Sequence, residues 1–194
     1  MTVAAATAPE TDRERYSAPQ ARIINAALEL FTEHGVGGTS LQMIADAIGV
    51  TKAAVYHQFK TKDEIVLAVA EAELSRVEEA IEAAEAERDP KDIRDALLAR
   101  IVDLAVERRH MESTLLTDPV IVRYFAHHPP FQQVMDRLYR ILMGEAGQEA
   151  RVPAAMLTAA IGGTVMHPLV VDLDDATLRA QLLHLARRFL ALPD

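Results

Sequence analysis

Apolar side chains recur at intervals of three and four residues along almost the whole chain, and no run of strictly alternating apolar and polar residues marks a strand. A helix buries one stripe with a period near 3.6, whereas a half-buried strand needs a period of two. The pattern therefore restricts the chain to an all-α fold. Ile24, Ala27, Leu28 and Phe31 form one stripe, and Leu41, Ile44, Ala45 and Ile48 a second. Val55 and Phe59 form a short third, and Ile65, Val69, Ala72, Val77, Ile81 and Ala84 a long fourth.

Starts and stops divide these stripes into helices. Ser17 with Gln20, Thr39 with Gln42 and Thr61 with Glu64 have capping-box spacing, in which a hydroxyl and a carboxylate or amide satisfy each other's free backbone N–H groups. Thr51 is suited to cap the short third helix, and Gly35 and Gly49 are suited to end the first and second. The fourth helix is predicted to run to residue 88, where Asp89-Pro90 breaks it. Five more helices are predicted at residues 91–110, 119–126, 131–146, 153–166 and 174–192, with Pro119 and Pro153 at first-turn positions and Asp118 as a cap. Residues 1–16 lack both an apolar run and a periodic stripe and read as a disordered tail.

The formal net charge of −9 argues against a nucleic-acid partner until its distribution is considered. Residues 1–62 hold six Lys/Arg and six Asp/Glu, while residues 63–194 hold 14 and 23, so the whole excess lies in the second part. With no cysteine, disulfides, thiolate metal sites and cysteine nucleophiles are excluded. His110, His127 and His128, near Glu112 and Asp118, make a poor metal site, because adjacent histidines in a loop seldom point the same way. No local nucleophile motif supports an enzyme, and no cofactor or metal is implied. Val152 to Val171 is 20 residues without a charge, long enough to span a bilayer. Pro153, Gly162, Gly163, His167 and Pro168 dilute it and no aromatic belt flanks it, so a helix-packing surface is the better reading.

Two short helices joined at Gly49 and backed by the first helix make a helix-turn-helix between Thr39 and Lys60. The second helix of such a unit enters the major groove with its N-terminal residues on base edges, which points to Thr51, Lys52 and Ala53. Tyr56 and His57 lie on a neighbouring face and can donate to phosphate oxygens. Thr39, Gln42 and Lys62, at the starts of the second and fourth helices, are placed for phosphate contacts as well. Spacing alone also allows the other reading, a common helix pair with Tyr56 and His57 as solvated surface.

The segment from Ala21 to Leu67 contains Ala27-Leu28-Glu29-Leu30-Phe31, Gly35, Thr39-Ser40-Leu41, Ile44-Ala45 and Gly49-Val50-Thr51-Lys52. It continues with Val55-Tyr56-His57-Gln58-Phe59-Lys60 and Lys62-Asp63-Glu64. It resembles the N-terminal domain of the TetR family of transcriptional regulators. Ala53 stands where that family often has glycine, and Gln58 where it usually has tyrosine or histidine. The resemblance implies about nine helices, a helix-turn-helix domain at residues 17–62, and a helical ligand-binding and dimerisation domain at 63–194. It further implies a cytoplasmic homodimer on a palindromic operator, released by a small effector. Thr51, Lys52 and Ala53 match the base-reading positions, Tyr56 and His57 the phosphate-contacting ones, and Lys62 a phosphate contact at the fourth helix. An activator, or a regulator without a ligand, is the alternative within this class; an enzyme or a membrane-associated protein is the alternative outside it.

The second part resembles no particular subfamily. Met111, Leu115, Tyr124, Phe125, Met135 and Tyr139, with Phe131, Leu138 and Met143, serve either as ordinary core packing or as apolar and flexible lining for a pocket, which would point to an apolar or amphipathic effector. Ala154, Ala155, Ala159, Ala160, Gly162 and Gly163 permit close helix approach. The resemblance implies that these helices, with the stripe Leu178, Leu182, Leu185 and Phe189, form a four-helix bundle across a dimer axis.

Overall fold

The computed structural model describes residues 15–107, 109, 119–144 and 151–191. Within them the chain forms nine α-helices and no strand. These are α1 (Ala18–Gly38), α2 (Leu41–Ile48), α3 (Lys52–Gln58), α4 (Lys62–Glu85), α5 (Pro90–Glu107), α6 (Pro119–Ala126), α7 (Pro129–Met143), α8 (Arg151–Val165) and α9 (Asp175–Phe189). A 3₁₀ turn, Pro168–Val170, links the last two. No described helix is long and apolar enough to cross a membrane.

Helix starts follow local chemistry. The Ser17 hydroxyl accepts from the Gln20 N–H, and the Gln20 side chain accepts from the Ser17 N–H, closing the expected box. Thr51 Oγ1 accepts from the Ala54 N–H at 3.2 Å, and Thr61 Oγ1 from the Glu64 N–H at 3.1 Å. The Glu64 carboxylate reaches one residue further back than expected, to the Lys60 N–H at 2.6 Å. At the second helix the expectation fails by one residue. Ser40, not Thr39, caps α2, accepting from the Met43 N–H at 3.2 Å. Thr39 is instead only 2 % exposed, with its hydroxyl between the carbonyls of Leu30 and Gly35 at 3.0 and 2.9 Å.

The cause is Gly35. Its φ of 70° and ψ of 162° lie in a region open essentially to glycine, and they break the axis of α1 three residues before its end. Carbonyls near the break lose their i+4 partners and need other donors.

The chain divides into two compact units: residues 1–76 with 113–127, and residues 77–112 with 128–194. The first unit extends past residue 62, taking in the first part of α4 and α6. Its core gathers Ile23, Ile24, Ala27 and Phe31 of α1, Ile44 and Ala45 of α2, Val55 of α3, Phe59, and Ile65, Val66 and Val69 of α4, all buried. In the second unit α5 packs against α7, α8 and α9. Asp95 pairs with Arg187, and Asp103 with Arg179, so eight residues along α5 match eight in reverse along α9. Arg109 continues the ladder to Asp175 at 2.8 Å. The partly exposed pairs of Asp95 and Asp103 contribute roughly 0–1 kcal/mol each, so they fix antiparallel register more than they stabilise.

The stripe expected on the last helix is divided between two environments. Leu178, Leu182 and Ala186 are buried within the chain, whereas Leu185 is 58 % and Phe189 46 % exposed. On α8, likewise, Ala154, Leu157, Ile161 and Val165 are buried. Val152, Ala155, Met156, Ala159, Ala160, Gly162 and Gly163 face outward.

Candidate nucleic-acid interface

The helix-turn-helix turn is built by Gly49. Its φ of 69° and ψ of 36° are left-handed, and the Val50 N–H reaches back to the Ala45 carbonyl at 2.9 Å while the Gly49 N–H reaches Asp46 at 3.2 Å. This pairing stops α2 and turns the chain within two residues. The Arg22 guanidinium of α1 donates to the Ile48 carbonyl at 3.1 Å, satisfying another free acceptor at that end.

Helix α3 is held by two side chains, Val55 and Phe59, at i and i+4. The rest of its surface is free: Thr51, Lys52, Ala53, Ala54, Tyr56 and His57 are all exposed, with Tyr56 at 53 %. Thr51 keeps a hydroxyl proton, because its oxygen acts as an acceptor in the cap. Thus five expected contact residues, Thr51, Lys52, Ala53, Tyr56 and His57, come together on one short helix. Gln42 is exposed on α2, with its amide donating to Asp46 at 2.7 Å.

Two expected contacts sit differently. The Thr39 hydroxyl is buried on the carbonyls of Leu30 and Gly35, so it is not available to a phosphate. Lys62 is half-buried, and its ammonium donates to the carbonyls of Val36 at 2.8 Å and Thr39 at 3.2 Å. Lys60 was not among the expected contacts. Its Nζ lies 5.6 Å from the Tyr56 ring centroid and 3.3 Å from the carbonyls of both Tyr56 and His57. It caps the C-terminus of α3 and steadies the Tyr56 ring; a lysine two residues past a helix end was the available signal.

Of the expected pocket residues, Met111 and Leu115 lie outside the described residues. Tyr124 and Phe125 belong to the first unit, where Phe125 is buried. The Tyr124 hydroxyl donates to the Glu71 carboxylate at 3.1 Å, as does Tyr16 at 2.7 Å. Burial first, then the Glu71 charge and hydrogen bond, pushes the Tyr124 phenol up to about 12. Met135 and Tyr139, four apart on α7, are half-buried in the second unit. A groove of about 450 Å³ in that unit is lined by Ile93, Arg94, Arg140 and Ile141, among others, and by none of the expected pocket residues. Among the described residues no cluster of three or more His, Asp or Glu is arranged to hold a metal.

A family model described as bacterial regulatory proteins of the tetR family matches residues 23–69. The chain is similar to the HTH-type transcriptional repressor AcnR of Corynebacterium glutamicum, with 27% identity over 143 residues, 73% of this chain and 69% of that one. It is 44% identical over 63 residues to the HTH-type transcriptional regulator SrpR of Pseudomonas putida, covering 32% of this chain and 27% of that one. A transcriptional regulator of the TetR/AcrR family from Thermobifida fusca shares the fold with a TM-score of 0.58 at 28% identity, over 86% of this chain and 95% of that one.

Proposed function

From the premise that the chain belongs to the TetR family of bacterial regulatory proteins, and is therefore a DNA-binding transcriptional regulator and not an enzyme, we propose that it is a cytoplasmic repressor. It binds a palindromic operator as a homodimer and is released by a small apolar or amphipathic effector. The observation that carries this reading is helix α3. Val55 and Phe59 are its buried anchors, and its N-terminal turn is exposed. In the contact set, Thr51, Lys52 and Ala53 meet base edges, and Gln42, Tyr56 and His57 meet the phosphates. Small Ala53 lets the helix approach the groove floor.

The dimer reading is supported by the outward face of α8 and α9. Val152, Met156, Leu185 and Phe189 are exposed apolar side chains, and a Cβ added at Gly162 or Gly163 would meet nothing within 4 Å. The chain's own packing therefore does not call for glycine there; the close approach of a second copy does. The aromatic and flexible residues Tyr124, Phe125, Met135 and Tyr139 support an apolar or amphipathic effector, acting by binding the operator-free form more tightly.

Selection of bound fragments from random duplex DNA at moderate salt tests the function. A palindrome with half-sites about 34 Å apart, one helical turn, is the expected product. Enrichment of no palindrome overturns the reading.

A further inference from the structure

We infer that Lys62 is a positioning residue for operator binding: its ammonium staples the first turn of α4 to the break between α1 and α2, and it does not contact a phosphate. The inference rests on the operator-binding reading above and reassigns one residue within it.

The break at Gly35 leaves carbonyls at the end of α1 without helical partners. Two side chains reach four carbonyls around the break. Thr39 Oγ1 lies between the carbonyls of Leu30 and Gly35, and Lys62 Nζ takes those of Val36 and Thr39. Thr39 belongs to both sets, its hydroxyl in one and its carbonyl in the other. Its neighbour Ser40 is the cap from which α2 starts.

Electrostatics favours the same arrangement. An ammonium in the first turn of α4 faces the positive end of that helix, an unfavourable position that the negative ends of carbonyls at the close of α1 compensate. Two of the three N–H donors of Lys62 are directed inward. Lys52, by contrast, is exposed and has no partner among the described residues. Lys62 therefore fixes where α2 begins relative to α4, and through α2 where α3 is presented.

The test is the salt dependence of operator binding. A cation that neutralises one phosphate adds about 0.9 to the steepness of the log–log plot, so deleting it from both protomers flattens the plot by about 1.8. Lys62→Met is expected to bind the selected operator about tenfold more weakly, since two charge-assisted hydrogen bonds are removed, with the wild-type slope retained. The flattening of about 1.8 expected for one phosphate-neutralising cation per protomer serves as the reference. Thr39→Val and Lys62→Met are expected to be non-additive in affinity, because Thr39 is both the hydroxyl donor at the break and an acceptor of Lys62.

A slope for Lys62→Met that flattens by about 1.8 overturns the inference. A wild-type protein that selects no palindrome overturns the functional reading instead, so the two failures are distinct. Competitive amine acylation of the wild-type protein decides the point even if Lys62→Met does not fold. Lys62 is expected to react several-fold more slowly than Lys52 in the free protein and to gain no further protection on the operator. Reaction as fast as Lys52, with protection by DNA, overturns the inference as well.

Discussion

If the exposed face of α8 and α9 joins two copies, a charge at Leu185 separates them. Leu185 is 58 % exposed on a helix that packs on α5 and α8 and buries Leu178, Leu182 and Ala186. Burying a whole leucine side chain is worth about 1.5–3 kcal/mol, so the exposed part of Leu185 contributes roughly 1–2 kcal/mol at an interface. A twofold interface uses each residue twice, which makes roughly 2–4 kcal/mol per dimer forfeited in Leu185→Glu. Each unpaired carboxylate enclosed there costs several kcal/mol more. A total above about 5 kcal/mol raises the dimer dissociation constant more than a thousandfold. Sedimentation velocity across a concentration series reads this directly, with far-ultraviolet dichroism as the check on folding. Helicity is the better check, because the melting temperature of a dimer falls with dissociation even when the protomer is intact. A folded Leu185→Glu protein that dimerises at the wild-type concentration refutes the assignment of this face. So does loss of helix content in the monomer, which would place Leu185 in the protomer core.

Other substitutions probe the remaining elements. Tyr56→Ala is expected to weaken operator binding by about 1–1.5 kcal/mol per protomer, roughly tenfold, by removing one phosphate hydrogen bond, and gel-shift titration with sedimentation of the free protein separates this from impaired dimerisation. Glu71→Gln removes the charge and weakens the acceptor that help hold the Tyr124 phenol up to about 12, so ultraviolet titration is expected to bring it down toward its ordinary value of 10. Because the folded protein holds that proton more tightly than the unfolded chain, the stability it contributes is full below pH 10 and is lost as pH rises toward 12. Denaturant midpoints across this range are expected to fall more steeply in the wild type than in Glu71→Gln. Gly49→Ala is expected to cost about 1–2 kcal/mol for a left-handed residue, and Gly35→Ala more, since its φ and ψ are open essentially to glycine; thermal melts rank the two.

What the sequence revealed depended on how far each determinant reaches. The Ser17–Gln20 box, the Gly49 turn, and the pair Val55 and Phe59 are settled within about one helical turn, and those elements were legible from residue order. Thr39 is ambiguous in the sequence because two hydroxyls stand side by side at 39 and 40, and the choice between them depends on a carbonyl nine residues back, at Leu30. Lys62 is ambiguous for the same reason at longer range: its acceptors at Val36 and Thr39 are free because α1 ends at Gly38, and Val36 lies 26 residues back. The α9 stripe shows a further limit. Leu178 and Leu185, like Leu182 and Phe189, are seven residues apart and so lie only about 20° apart around the helix, yet Leu178, Leu182 and Ala186 are buried while Leu185 and Phe189 are exposed. Periodicity reports that a side is apolar without saying which neighbour it meets. A protomer core and a partner surface leave the same signal in the sequence. The packing of α5 and α8 on α9 divides that signal, and Leu185 and Phe189 stay exposed in the protomer.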